Sequence, residues 1–148
     1  MDFENLTKES LPQEFQDRIE RFNEFFLKAT GKSFEEDDLF EYEMACIKQA
    51  LSFNEYFKDY SESEFDEFTK KYNDEGKSLL DLIKDIEDKL PYFDKGHSGN
   101  SLGASWSLFV CYRAKPKLIP YMHGCLAGLV GDEGYHDDRS DVWKANVL

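Results

Sequence analysis

Two stretches of this chain carry residue types whose spacing could do chemistry. The first is GHSGNSLG, residues 96–103. A Gly- and Ser-rich turn that runs into a helix leaves backbone N–H groups unpaired at the helix N-terminus, where the dipole favours an anion. There Gly99 allows close approach of the backbone, Ser98, Asn100 and Ser101 add side-chain donors, and His97 adds a charge or a base. The Gly-Lys-Ser/Thr of a phosphate-binding P-loop is missing and no strand precedes the turn, so a nucleotide-binding loop is not expected. The same residues also make an ordinary helix cap, with Gly99, Gly103 and Ala104 letting a neighbouring helix come near. The cap is the preferred reading.

The second stretch is GDEGYHDDRSD, residues 131–141. Asp132, Glu133, Asp137, Asp138 and Asp141 are hard oxygen ligands that suit Mg2+ or Ca2+, but their spacing is not that of a helix-loop-helix calcium site. His136 beside Asp137 would suit a transition metal if His97 or His123 converged on it. Arg139 and Asp141 pair equally well with each other around turns at Gly131 and Gly134. An ordered loop closing the chain is therefore expected rather than a metal cage. No cofactor is expected; Mg2+ or another divalent metal belongs to the alternative.

Carboxylates also gather at Glu35, Glu36, Asp37, Asp38 and Glu41, and again at Asp81, Asp85 and Asp88. Acids on facing helices hold Mg2+ in all-helical nucleotide pyrophosphohydrolases, but the paired Glu-rich motifs of those enzymes are not present. Acids at a helix start also follow simply from the dipole. His123, in YMHGCLAG, suits a core or interface position, and no Ser–His–Asp or Cys–His–Asn pattern surrounds it.

Helices must position these groups. Ser10 with Pro12 suits a helix start, and Leu11, Phe15, Ile19, Phe22 and Phe26 follow at helical spacing to Gly31. Ser33 with Glu36 reads as a capping box for a second helix. Its face is Leu39, Tyr42, Cys46 and Ala50, continuing to Phe53 and Phe57 unless Asn54 breaks it. Ser63 with Asp66 marks a third start, followed by Phe65, Phe68 and Tyr72 and stopped at Gly76. Leu79, Ile83, Ile86 and Leu90 mark a fourth helix, closed by Pro91. After the 96–103 turn come Leu102, Trp106, Phe109 and Val110, an interruption at Lys115–Pro116, and then Leu118, Met122, Cys125, Leu126 and Leu129. The expected fold is all-α: one bundle-like domain of about six helices over 1–148, with an ordered C-terminal loop and tail.

Charge divides the chain. Residues 1–95 hold 26 Asp and Glu against 13 Lys and Arg, whereas residues 96–148 hold five of each. The whole net charge of −13 thus belongs to the first two-thirds, an acidic helical body followed by a neutral, Gly-containing segment. Such a surface repels phosphates, which excludes direct nucleic-acid binding and points to a basic protein as partner. Cys46, Cys111 and Cys125 are odd in number and lie in apolar patterns, as in a reduced cytoplasmic protein. The acidic opening MDFENLTKES is unlike a signal peptide, and no apolar run reaches membrane length.

Residues 96–138 resemble a segment of small uncharacterised bacteriophage proteins. In those a Gly-His-Ser-Gly-x-Ser turn opens an aromatic helix and a Pro- and Gly-containing acidic loop follows. The matching pieces are Gly96-His97-Ser98-Gly99-Asn100-Ser101, Leu118-Ile119-Pro120 and Gly131-Asp132-Glu133, with YMHGCLAGLV inserted before the last. The resemblance implies a phage or prophage origin and no particular activity.

The preferred expectation is a small acidic binding protein, not an enzyme, that neutralises a basic partner such as a nucleic-acid enzyme or a toxin. Inhibitors, anti-restriction DNA mimics and immunity proteins form that class. Its contacts would be Glu35, Glu36, Asp37, Asp38 and Glu41. Trp143, in the tail VWKANVL, would serve as a docking residue if exposed. The alternative is a metal-assisted phosphate hydrolase joining the 96–101 turn to the 131–141 loop. Assembly into a homo-oligomer or a larger complex is left open.

Overall fold

The computed structural model describes residues 1–95 and 99–122, and among them every regular element is helical. Helices α1 (Gln13–Thr30), α2 (Asp38–Phe57), α3 (Glu62–Asp74), α4 (Leu79–Ile86) and α5 (Gly99–Ala114) are joined by short connections, several wound as 3-10 turns. The protein is all-α. No helix among the described residues is long and apolar enough to cross a membrane.

The α1 stripe folds as its spacing requires. Phe15, Ile19, Phe22 and Phe26 are all buried, and Pro12 occupies the N-cap position. Gly31 ends the helix with a left-handed φ of 75°, its amide donating to the Leu27 carbonyl at 2.8 Å. A side chain at that φ would strain the backbone, so glycine is the residue that fits.

Two helix starts differ from the sequence expectation. Ser33 makes no side-chain cap bond; Phe34–Glu36 form a separate 3-10 turn, and α2 starts only at Asp38. Its true cap is Asp37, whose carboxylate accepts from the Leu39 amide at 2.9 Å. Burial of Phe34 against Phe22 and Phe26 holds the chain in the tighter turn first. Helix α3 starts from Ser61 with Glu64, a reciprocal capping box two residues ahead of the Ser63–Asp66 pair. Asn54 does not interrupt α2, because Phe53 and Phe57 on either side of it are fully buried and hold the helix through.

Packing centres on α2 and α5. Phe57 touches the rings of Tyr56, Tyr60, Phe65, Phe68, Trp106 and Phe109 at centroid separations of 4.8–5.9 Å. Mostly edge-on or tilted, these pairs add about 0.5–1.5 kcal/mol each beyond area burial. Helix α5 is apolar around much of its surface. Leu102, Leu108 and Phe109 are buried, whereas Val110, another apolar residue of that helix, is 37% exposed. Tyr42 on α2 likewise turns outward at 42%. The further helix expected from Leu118 begins instead as a 3-10 turn, Pro116–Tyr121, with Leu118 and Ile119 buried. Pro116 suits the first position, but Pro120, inside the turn, lacks the amide a regular α-helix needs there.

Polar side chains tie the helices to the connections. Arg18 and Glu43, 1% and 2% exposed, form an ion pair between α1 and α2. Arg18 Nη1 also donates to the Ile119 and Met122 carbonyls at 2.9 and 2.8 Å, fastening the 3-10 turn onto α1. From α2, Gln49 and Ser52 bond the backbone of Tyr92, and Gln49 Oε1 accepts from the Asp94 amide at 2.9 Å. Arg113 of α5 donates to the Phe57 and Tyr60 carbonyls, closing the C-terminal end of α2.

Candidate functional site

Four separate segments meet beside the first half of α2. The N-terminal segment brings Leu6, Thr7, Lys8 and Glu9; the Phe34–Glu36 turn brings Glu35; α2 brings Phe40, Glu41, Met44, Ala45 and Lys48; and the connection after α4 brings Tyr92. Together they line an open groove of about 480 Å3, within the range of sites that hold a ligand or an anchoring side chain. Its floor is apolar, from Leu6, Phe40, Met44, Ala45 and Tyr92. Its walls are charged.

The walls are held in place to different degrees. Glu35 is fixed, since its Oε2 receives Lys8 Nζ at 3.5 Å and Asn23 Nδ2 at 3.2 Å. Lys48 Nζ lies 4.7 Å from the centre of the Tyr92 ring, a cation–π contact. Tyr92 is backed by Phe3, stacked at 6.2 Å, and its carbonyl is held by Gln49 and Ser52. Burial, with the Asp94 and Glu4 carboxylates nearby, pushes the Tyr92 phenol above its ordinary pKa. Glu41 is exposed and makes no ion pair among the described residues.

The acidic residues expected to bind a partner are thus partly assembled. Glu35 and Glu41 line the groove, while Glu36 and Asp38 are exposed on the same stretch of chain. Asp37 is half-buried and its carboxylate caps α2, so it serves the fold first. Sequence reasoning missed the rest of the lining, Leu6, Lys8, Met44, Lys48 and Tyr92 among it. Glu41, Met44, Ala45 and Lys48 recur at three, four and seven residues, a signal readable as one helical stripe. Nothing local marks Leu6 or Tyr92 as its neighbours.

The other acid-rich helix is used locally. Asp81 completes a capping box with Ser78, and Asp85 accepts from the Tyr72 hydroxyl at 2.8 Å. Among the described residues no three His, Cys, Asp or Glu side chains come together to hold a metal. His97 and Ser98 lie outside the described residues, as do His123, Trp143 and the whole 131–141 stretch with Asp132, His136, Asp137, Asp138 and Asp141. The α5 backbone begins at Gly99 and carries Asn100 and Ser101 in its first turn.

A second groove, about 380 Å3, runs between α5 and the last 3-10 turn, lined by Trp106, Val110, Cys111, Ala114, Leu118 and Met122 among others. Its described lining is more uniformly apolar and includes the cation Lys115. Burial pushes the Cys111 thiol up to about 11, which leaves it a poor nucleophile at neutral pH.

The chain matches no family model, no curated protein and no solved structure.

Proposed function

We propose that this protein acts by binding: it docks on a basic protein and neutralises or regulates it, through the acidic residues around the start of α2. The observation that carries the reading is the placement of Glu9, Glu35 and Glu41 around an apolar-floored groove, with Glu36 and Asp38 exposed beside it. Carboxylates at the rim steer a cationic partner and fix its register, while an apolar floor supplies the desolvated anchor that carries affinity. The net charge of −13 extends the attraction beyond the contact itself. The partner class is a nucleic-acid enzyme or a toxin, and the protein would belong with phage-type inhibitors, DNA mimics or immunity proteins. The hydrolase alternative rests on the 96–101 and 131–141 stretches, and no feature of the described residues favours it.

The test is capture from a bacterial lysate at low and high salt, comparing the parent with a Glu35→Lys/Glu36→Lys/Glu41→Lys variant. A basic protein held at low salt, released at high salt and lost with the variant is the expected result. Equal capture by both proteins, or none by either, overturns the reading.

A further inference from the structure

We infer that the α2 groove seats an amphipathic helix of the partner, with an Arg or Lys against Glu41, apolar side chains on Met44 and Ala45, and an acid against Lys48. The inference rests on the proposed function and specifies how the partner is recognised.

The order of residues along α2 carries it. Glu41, the Met44–Ala45 pair and Lys48 succeed one another along one face of the helix. At 1.5 Å per residue, Glu41 and Lys48 stand about 10 Å apart along the axis. The groove is therefore polarised, an acid at one end and a base at the other, with an apolar floor between. Neither Glu41 nor Lys48 has an ion-pair partner among the described residues, so an occupant can bring a base to the one and an acid to the other, where the Lys48 ammonium rests on the Tyr92 ring. Glu35 is already engaged by Lys8 and acts as a fixed wall.

The floor also selects the occupant's backbone. It is made of side chains, and no strand edge among the described residues offers a ladder of free amides and carbonyls. An extended peptide would find few partners for its backbone there. A helix satisfies its own backbone, and two of its turns match the Glu41–Lys48 separation with side chains at i, i+3, i+4 and i+7.

The probe is a labelled, helix-stabilised synthetic peptide bearing Arg, Leu, Leu and Glu at i, i+3, i+4 and i+7 on a net basic background. A scrambled peptide of the same composition is the control. Fluorescence anisotropy reads binding to the full chain and to Lys48→Glu and Ala45→Trp. Lys48 is half-buried against Tyr92, so circular dichroism and urea unfolding check that Lys48→Glu keeps the fold.

The patterned peptide is expected to bind at least tenfold more tightly than the scrambled one. Lys48→Glu should weaken it fivefold or more even though the protein becomes more acidic, and Ala45→Trp should weaken it by filling the floor. Plain attraction to an acidic surface predicts the opposite sign for Lys48→Glu. If that variant binds more tightly, and the scrambled peptide binds as well as the patterned one, the groove assignment falls while the acidic-surface reading stands. Absence of binding by either peptide also overturns the assignment. So does dimerisation of the parent that Ala45→Trp abolishes, because a second copy is then the occupant; lysate capture separately decides the proposed function.

Discussion

Replacing Glu43 by Met would leave the Arg18 guanidinium buried without its carboxylate. At 1% and 2% exposure neither partner has water to fall back on. Removing one member of such a pair costs about 3–5 kcal/mol, a large share of the roughly 5–15 kcal/mol that stabilises a domain. An ordinary buried pair can be replaced on both sides by apolar residues at little cost. This one differs, because Arg18 also donates to the Ile119 carbonyl at 2.9 Å. In the double variant Arg18→Met/Glu43→Met that carbonyl keeps, among the described residues, the longer bond from the Met122 amide at 3.4 Å. Losing a charged donor costs about 1.5–3 kcal/mol, so the double variant should regain part of the lost stability and stop short of the parent. Urea unfolding followed at 222 nm gives all three values, and hydrogen exchange should quicken at 118–122 whenever Arg18 is absent. Glu43→Met within about 1 kcal/mol of the parent, or a double variant as stable as the parent, would refute the reasoning.

Two further outcomes follow from single contacts. Burial, then the hydrogen bond and charge of Asp85, push the Tyr72 phenol from 10.0 up to about 12. Its folded pKa is raised, so its stabilising contribution is full below pH 10 and is lost as pH climbs through about 12. Stability measured from pH 9 to 12 should fall less steeply in Tyr72→Phe, and identical slopes would count against the contact. Separately, Ser61→Ala and Ser78→Ala each remove a reciprocal capping box. Each should cost about 1 kcal/mol in thermal or urea unfolding, with little change in the far-ultraviolet spectrum of the folded state.

On the proposed reading, carboxylates placed around an apolar floor would make an acidic surface selective. Charge alone attracts any cationic protein, whereas a groove with an acid at one end and a base at the other rewards one order of side chains. The polar contacts of Gln49 and Ser52 to Tyr92 hold one wall of that groove against α2.

What the sequence by itself determined is the helical content and its apolar faces. Phe15, Ile19, Phe22 and Phe26 repeat at the helical period, as do Cys46, Ala50, Phe53 and Phe57, and burial of those faces is the dominant favourable term in folding. Period alone could not fix the start of α2, because Ser33 and Asp37 are both good caps and the choice fell to Phe34 finding its place against Phe22 and Phe26. Nor could it place Arg18 and Glu43 in the core. A charge is read as exposed until a partner 25 residues away neutralises it, and that partner is visible only after folding. The groove was legible only in two of its acids. Glu35 and Glu41 stood out as acids at a helix start, but Leu6, Lys8 and Tyr92 reach them through long-range packing, which no local spacing encodes.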